Sequence, residues 1–524
     1  MTAHPLSRRD LLKVTVLGTA ALALPLERTI RAKSVSTIAA SKIPAPYTVP
    51  FAVPPVLAPV RSDAGTDYYE LVQQQVVTRI LPGVDTAVFA YNGVVPGPTI
   101  VANRGRQTVV RQINRLPDRH PVLGYQPWTS THLHGMASRP EYDGYANDIT
   151  LPGQYKDYRY PNAQPARTLW YHDHGVHHTA ENVYMGLAAQ YHLYDPQERA
   201  LPLPKGRYDV PLIIRDAIFA ADGSLRFDDR LHSGVAGDVI LVNGRPWPVM
   251  DVERRKYRFR ILNGCAGRGL RLTLSTGDPL VVIATDGGLV PVPQPVTQLR
   301  QGMAERYEVV VDFAKYPVGT LVDLRNLSVP NTVDYDHTNK IMRFRVAGEA
   351  TDTADDEVPA RLAPDNPVMT LPESAATRTR RLRVKKDGAI WTVGEQTWAQ
   401  IEASNFTRTF AAPAANGVEI WEIENTSGGW FHPVHIHLVD FRVLTRNGRP
   451  PRPEELGPKD VVYVGEGETV RVLMRFENQI GRYMIHCHNV SHEDHDMMSQ
   501  FEVGTGGPDP ITTAPARDLP APPL

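Results

Sequence analysis

Short runs in which apolar and polar residues alternate recur along most of this chain. They fall at residues 68–72, 108–113, 256–262, 306–313, 419–423 and 469–476, and a mainly apolar run covers 210–214. Alternation with period two marks a strand with one buried face. Between the runs lie turn-dense stretches such as Tyr91-Asn92-Gly93-Val94-Val95-Pro96-Gly97-Pro98. No long amphipathic helix pattern competes with them. The pattern predicts an all-β protein built of β-sandwich domains.

At 524 residues the chain is too long for one core. A Pro-rich joint at 195–205 and an acidic stretch at 347–367, with Asp352, Asp355, Asp356 and Glu357, mark boundaries. The expected division is a targeting segment and lead-in at 1–40, domains at 41–198, 199–350 and 369–505, a linker at 351–368, and a disordered tail at 506–524. The tail is rich in Pro, Gly and Ala without an apolar period. The second domain holds only His232 and His337 and reads as structural spacing.

Net charge is −1, so no global field draws in nucleic acid or a membrane, and no RNA-binding motif is present. The N-terminus changes the picture. Ser7-Arg8-Arg9-Asp10-Leu11-Leu12-Lys13 precedes an apolar stretch at 14–26 that is too short for a membrane span. This is a twin-arginine export pattern. It predicts a protein carried folded by the twin-arginine translocase to the periplasm, the cell wall or the medium, without a membrane span. The two cysteines are Cys265 and Cys487. A metal on Cys487 leaves no disulfide within one chain, and Cys265 then reads as a small buried apolar residue.

The chemistry concentrates in His486-Cys487-His488-Asn489-Val490-Ser491-His492-Glu493-Asp494-His495-Asp496-Met497. On a strand, His486 and His488 face one way and Cys487 the other. A thiolate, His492, one further imidazole and Met497 as weak axial ligand make the ligand set of a blue-copper site. Three more clusters are His132-Leu133-His134, His172-Asp173-His174 and His432-Pro433-Val434-His435-Ile436-His437. Each carries an i, i+2 pair. With His486 and His488 these pairs supply eight imidazoles, which suit three metals held by three, three and two nitrogens. His432 is left over and completes the thiolate site. His177-His178 and His495 read as ordinary polar contacts.

These four motifs, in this order, resemble the multicopper oxidases, laccase-like proteins of three cupredoxin domains. The resemblance runs from about Tyr68 to Val503 and is strongest to the bilirubin oxidase, spore-coat laccase and phenoxazinone synthase branch. It implies four coppers. Type 1 copper takes His432, Cys487, His492 and axial Met497, and type 2 takes His132 and His435. One type 3 ion takes His134, His172 and His488, and the other His174, His437 and His486. It also implies a cluster between the first and third domains. Asp143 and Glu493 match the family's proton-handling carboxylates. His432 matches the electron-accepting imidazole, its edge near the surface and Trp430 two residues before it. The implied reaction couples one-electron oxidation of phenolic, aminophenolic or tetrapyrrole donors to reduction of O2 to water, in a monomer.

Two other readings compete. A cuprous-ion oxidase often carries Met-rich inserts, and here there are only 11 Met. A periplasmic electron carrier needs the thiolate site alone and leaves eight histidines without a purpose.

Overall fold

The computed structural model describes residues 35–229 and 232–524. The export pattern at Arg8 and Arg9 lies outside the described residues. Strands dominate, and they form three pairs of sheets, one pair for each expected domain.

In the first domain, strands Thr66–Thr78, Gln107–Arg115 and Gln154–Tyr160 form the centre of one sheet, and Thr86–Tyr91 pairs on Thr66–Thr78. The other sheet runs Ile100–Asn103, Ala188–Tyr194, Arg167–Asp173, Thr131–His134. Leu71 and Val110 of one sheet share an apolar cluster with Leu133, Leu169 and Tyr191 of the other. That cluster continues into the second domain without a break, through Leu212, Ile261 and Val309. The third domain packs its own core around Trp421, Val434, Val472 and Ile485.

The histidine-bearing strands, like some others, depart from simple alternation. Arg378–Asp387 shows the expected alternation of buried and exposed positions. Thr131–His134, Arg167–Asp173 and His432–Ile436 are buried at every position. Both faces of these strands are covered, so half of each strand's side chains face a neighbouring layer rather than water.

One expected feature of the chain's organisation differs, and the linker is docked on the second domain. Arg255 donates to the carbonyls of Asp352, Ala354 and Asp355, and the Lys256 amide donates to Asp356 at 2.8 Å. The tail, expected to be disordered, is a strap. Arg517–Asp518 pairs with Gln154 and Tyr155 of the first domain, and Leu519 N donates to Gly153 O at 3.0 Å. Arg111 reaches the Pro522 carbonyl, and Arg482 pairs with Asp509. Composition missed this because much of the strap is held by backbone pairing on a sheet edge and by single polar contacts, which need no apolar period in the tail. The lead-in likewise docks onto the second domain, with Thr37 N on Phe219 O and Phe51 N on Val249 O, both at 2.8 Å.

Candidate metal centre

Strand Gly481–Cys487 carries the central thiol at its C-terminal end. Its register against His432–Ile436 sets Val434 opposite Cys487 and His435 opposite His486. Alternation then sends the thiol to one side and His486 and His488 to the other. His432 Nδ1 lies 3.3 Å from Cys487 Sγ, and His492 Nδ1 lies 3.8 Å from it. The turn Val490–Asp494 brings His492 back, and the Met497 amide donates to the His492 carbonyl at 2.9 Å. The Cys487 amide in turn donates to the Met497 carbonyl at 3.1 Å. Met497 is fully buried in the same apolar cluster as Cys487. The ring of Trp391 stacks on His492, with centroids 3.9 Å apart.

Burial pushes the Cys487 thiol well above its ordinary range and pushes His432 down to about 3. A neutral imidazole beside a thiol that resists ionisation suits a soft cation, which supplies the charge a thiolate requires. The edge of His432 is not exposed. The residue is fully buried, and its Nε2 meets Ser427 Oγ at 2.7 Å. Half-buried Trp430 and the buried Trp391 pack against this group instead.

On the other side, the eight imidazoles converge. His132 stands directly opposite His172. Ring nitrogens of His134, His172 and His488 lie within 4.8 Å of one another, as do those of His174, His437 and His486, and those of His132, His134 and His435. Domain one meets domain three at His174 Nε2 and His486 Nε2, 3.2 Å apart.

The outward nitrogens are occupied. His132 Nδ1 meets the Asp143 carbonyl at 2.5 Å, His172 Nδ1 the Asp173 carbonyl at 2.7 Å, and His435 Nδ1 the Asp460 carbonyl at 2.8 Å. His134 Nε2 meets the Asp460 carboxylate at 3.0 Å. An N–H donated outward leaves the opposite nitrogen bare. Those opposite atoms, His132 Nε2, His134 Nδ1, His172 Nε2 and His435 Nε2, are buried without a hydrogen-bond partner, and so is His488 Nε2. Burial, together with repulsion among neighbouring imidazoles, holds His132, His134, His172, His435, His437 and His488 well below their ordinary range. Bare, neutral, converging nitrogens fit metal ions.

Two carboxyls flank this group with opposite electrostatics. Asp143 Oδ2 lies 2.7 Å from His437 Nδ1, and burial pushes its carboxyl well above the usual range. Glu493 lies 2.9 Å from His486 Nδ1 and 3.5 Å from His174 Nε2. Burial works against ionisation of Glu493 too, but His486 and His174 outweigh it and the net shift is downward. Gly144, at φ +77°, lets the Asp143 loop close on the His132 strand, since a Cβ there would sit 2.6 Å from His132 Cα.

The sequence reading missed Asp460, which holds two of the histidines. It also missed the second domain's share in the centre. Arg306, from that domain, donates to Asp460 Oδ1 at 2.7 Å and to Oδ2 at 2.5 Å, and Asp286 accepts the Asp460 amide at 3.3 Å. Gly135, at φ +86°, leaves room for this pair, because a Cβ would lie 2.6 Å from Asp460 Oδ2. Lys459-Asp460 carried no histidine to draw the eye, and Arg306 is 154 residues away in sequence.

A thiol flanked along the chain by two residues of an eight-imidazole cluster defines a copper redox protein. Comparisons agree. Family models described as multicopper oxidase match residues 73–198 and 371–507. The bilirubin oxidase of Albifimbria verrucaria is 42% identical over 479 residues, covering 87% of this chain and 81% of that protein. A laccase of Bacillus stratosphericus is 35% identical, covering 86% and 98%. The solved multi-copper oxidase of Pediococcus acidilactici matches with a TM-score of 0.77 at 30% identity, covering 88% of this chain and 92% of that one. The chain belongs to the multicopper oxidase family. Its three sandwiches are cupredoxin-like, and it is a copper oxidoreductase that passes electrons from donors to O2.

Proposed function

We propose that the protein holds four coppers and oxidises phenolic, aminophenolic or tetrapyrrole donors one electron at a time. The observation that carries the copper count is the convergence of ring nitrogens in groups, His134, His172 and His488 in one, His174, His437 and His486 in another, and His132 with His435 in a third, beside the His432, Cys487, His492 group. When bound, copper supplies one-electron redox capacity at each group. The chain supplies the rest. Cys487 links the two groups through its peptide bonds to His486 and His488, a span of about 10 Å on a strand. Four electrons and four protons convert O2 to two waters. Asp143 is set to hold a proton beside His437, and Glu493 to accept one beside His486.

The donor class is supported by the bilirubin oxidase and laccase relatives and by the absence of a Met-rich insert in a chain with 11 Met. Oxygen uptake, with controls for autoxidation, is expected to give higher kcat/KM for an o-aminophenol, a dimethoxyphenol or bilirubin than for Cu(I) or Fe(II). Faster turnover of a metal ion than of every organic donor would replace this reading with a metallo-oxidase. Export by the twin-arginine route is supported by Arg8-Arg9. Replacement of both by Lys is expected to retain the protein inside the cell while a Sec-dependent control is still exported.

A further inference from the structure

A cavity of about 440 Å3 opens at the seam between the second and third domains. Its aromatic wall is Phe431 and Tyr463, whose rings stack with centroids 4.6 Å apart. Phe431 is peptide-bonded to His432, and Tyr463 precedes Val464, the cross-strand partner of His432. The cavity therefore ends one residue from the thiolate group.

Three guanidinium groups line it, those of Arg271, Arg300 and Arg452. Several other arginines of this chain close onto carboxylates at hydrogen-bond distance. Arg111 meets Asp157, and Arg260 meets Asp209, both at 2.7 Å. Arg300 instead lies over the Tyr463 ring, 4.0 Å from its centroid, and has its carboxylates, Glu455 and Glu468, at 3.8 and 3.9 Å. Its Nη2 is buried without a hydrogen-bond partner, and so is Arg271 Nε. A buried N–H left unpaired is costly, and a guanidinium fork matches a carboxylate.

The acidic residues of the wall compete weakly for these arginines. Glu468 is taken by Arg446 and by the Gly465 amide, both at 2.8 Å. Glu466 is exposed, and burial raises the Glu454 carboxyl above its ordinary range. The volume lies within the range of small-molecule sites, roughly 300–1,000 Å3.

We propose that this cavity is a docking subsite for aromatic donors that carry a carboxylate, with the carboxylate on Arg271 and Arg300 and the ring against Phe431. The proposal rests on the donor-oxidation reading above and narrows its substrate class to anionic phenols and aminophenols. Arg452 adds a third positive charge. The docked donor gives up one electron towards His432 and releases its phenolic proton to solvent.

The test compares 3-hydroxyanthranilate with 2-aminophenol, which differ by one carboxylate, by oxygen uptake on the copper-loaded enzyme. The ratio of their kcat/KM values is expected to fall roughly tenfold in an Arg271→Gln, Arg300→Gln double variant. In the wild type the ratio should also shrink as salt rises. The corresponding double Lys variant should recover part of the preference, which separates recognition from damage to the fold. Calorimetric titration with redox-inert 2-naphthoate reads docking without turnover, and its affinity should fall by a similar factor in the Gln variant. If neither donor is oxidised while naphthoate still binds through these arginines, the donor reading fails and the subsite stands. An unchanged ratio and unchanged naphthoate affinity in the Gln variant would overturn the proposal. So would a wild-type preference for 2-aminophenol over 3-hydroxyanthranilate.

Discussion

Cys487 and Met497 show how little of a residue's role is visible at the residue itself. Both are fully buried among apolar side chains, and either one alone would pass for core packing. What distinguishes Cys487 is the pair of imidazole nitrogens on its sulfur, at 3.3 and 3.8 Å. Copper-loaded protein is expected to be intensely blue, and Cys487→Ser to fold while losing both the colour and the activity. A blue Cys487→Ser protein would remove this sulfur from the copper group. Met497→Leu is expected to keep the blue copper and raise its reduction potential, since a weak electron donor is lost. A redox titration that returns the wild-type potential would take Met497 out of the ligand set.

At the scale of elements, register does most of the positioning. His132 opposite His172 and His435 opposite His486 follow from antiparallel pairing alone. The loop elements add what register cannot. Asp460 lies just before the strand Val461–Val464, and there it meets His134, His435 and Arg306 at once. The second domain, expected to act as spacing, thus holds the carboxylate that meets His134 through one guanidinium. Arg306→Met leaves the buried Asp460 carboxylate without its partner, a change that costs about 3–5 kcal/mol. Lower thermal stability is expected, with copper lost from the histidine cluster while the blue thiolate copper is retained. Copper content read together with electron paramagnetic resonance would separate the two groups. Equal loss at both would mean that Arg306 acts only on the general fold.

At the scale of the whole molecule, the ends of the chain tie the sandwiches together. The strap at 506–524 leaves the third domain and closes on the edge of the first at Gln154 and Tyr155. Its hydrogen bonds each contribute about 1 kcal/mol net. Truncation after Thr505 is expected to lower the melting temperature by a few degrees without removing the blue colour. Calorimetry of the truncated holoenzyme checks this, and an unchanged transition would mean the strap contributes nothing to stability.

Chain chemistry and periodicity settled the fold class and the candidate ligands. Period-two alternation is a local property, and an i, i+2 histidine pair on a strand shares a face whatever surrounds it. The family likeness rested on motifs of the same local kind, which is why they were legible at His132, His172, His432 and His486. Tertiary structure decided everything that depends on residues distant in the chain. It placed Asp460 and Arg306 behind the histidines, buried His432 beneath Ser427, and left one nitrogen each of Arg271 and Arg300 without a hydrogen-bond partner beside a cavity. Sequence spacing carries no trace of these contacts, because hydrogen bonds and burial act between groups close in space, and only the packed chain brings those groups together.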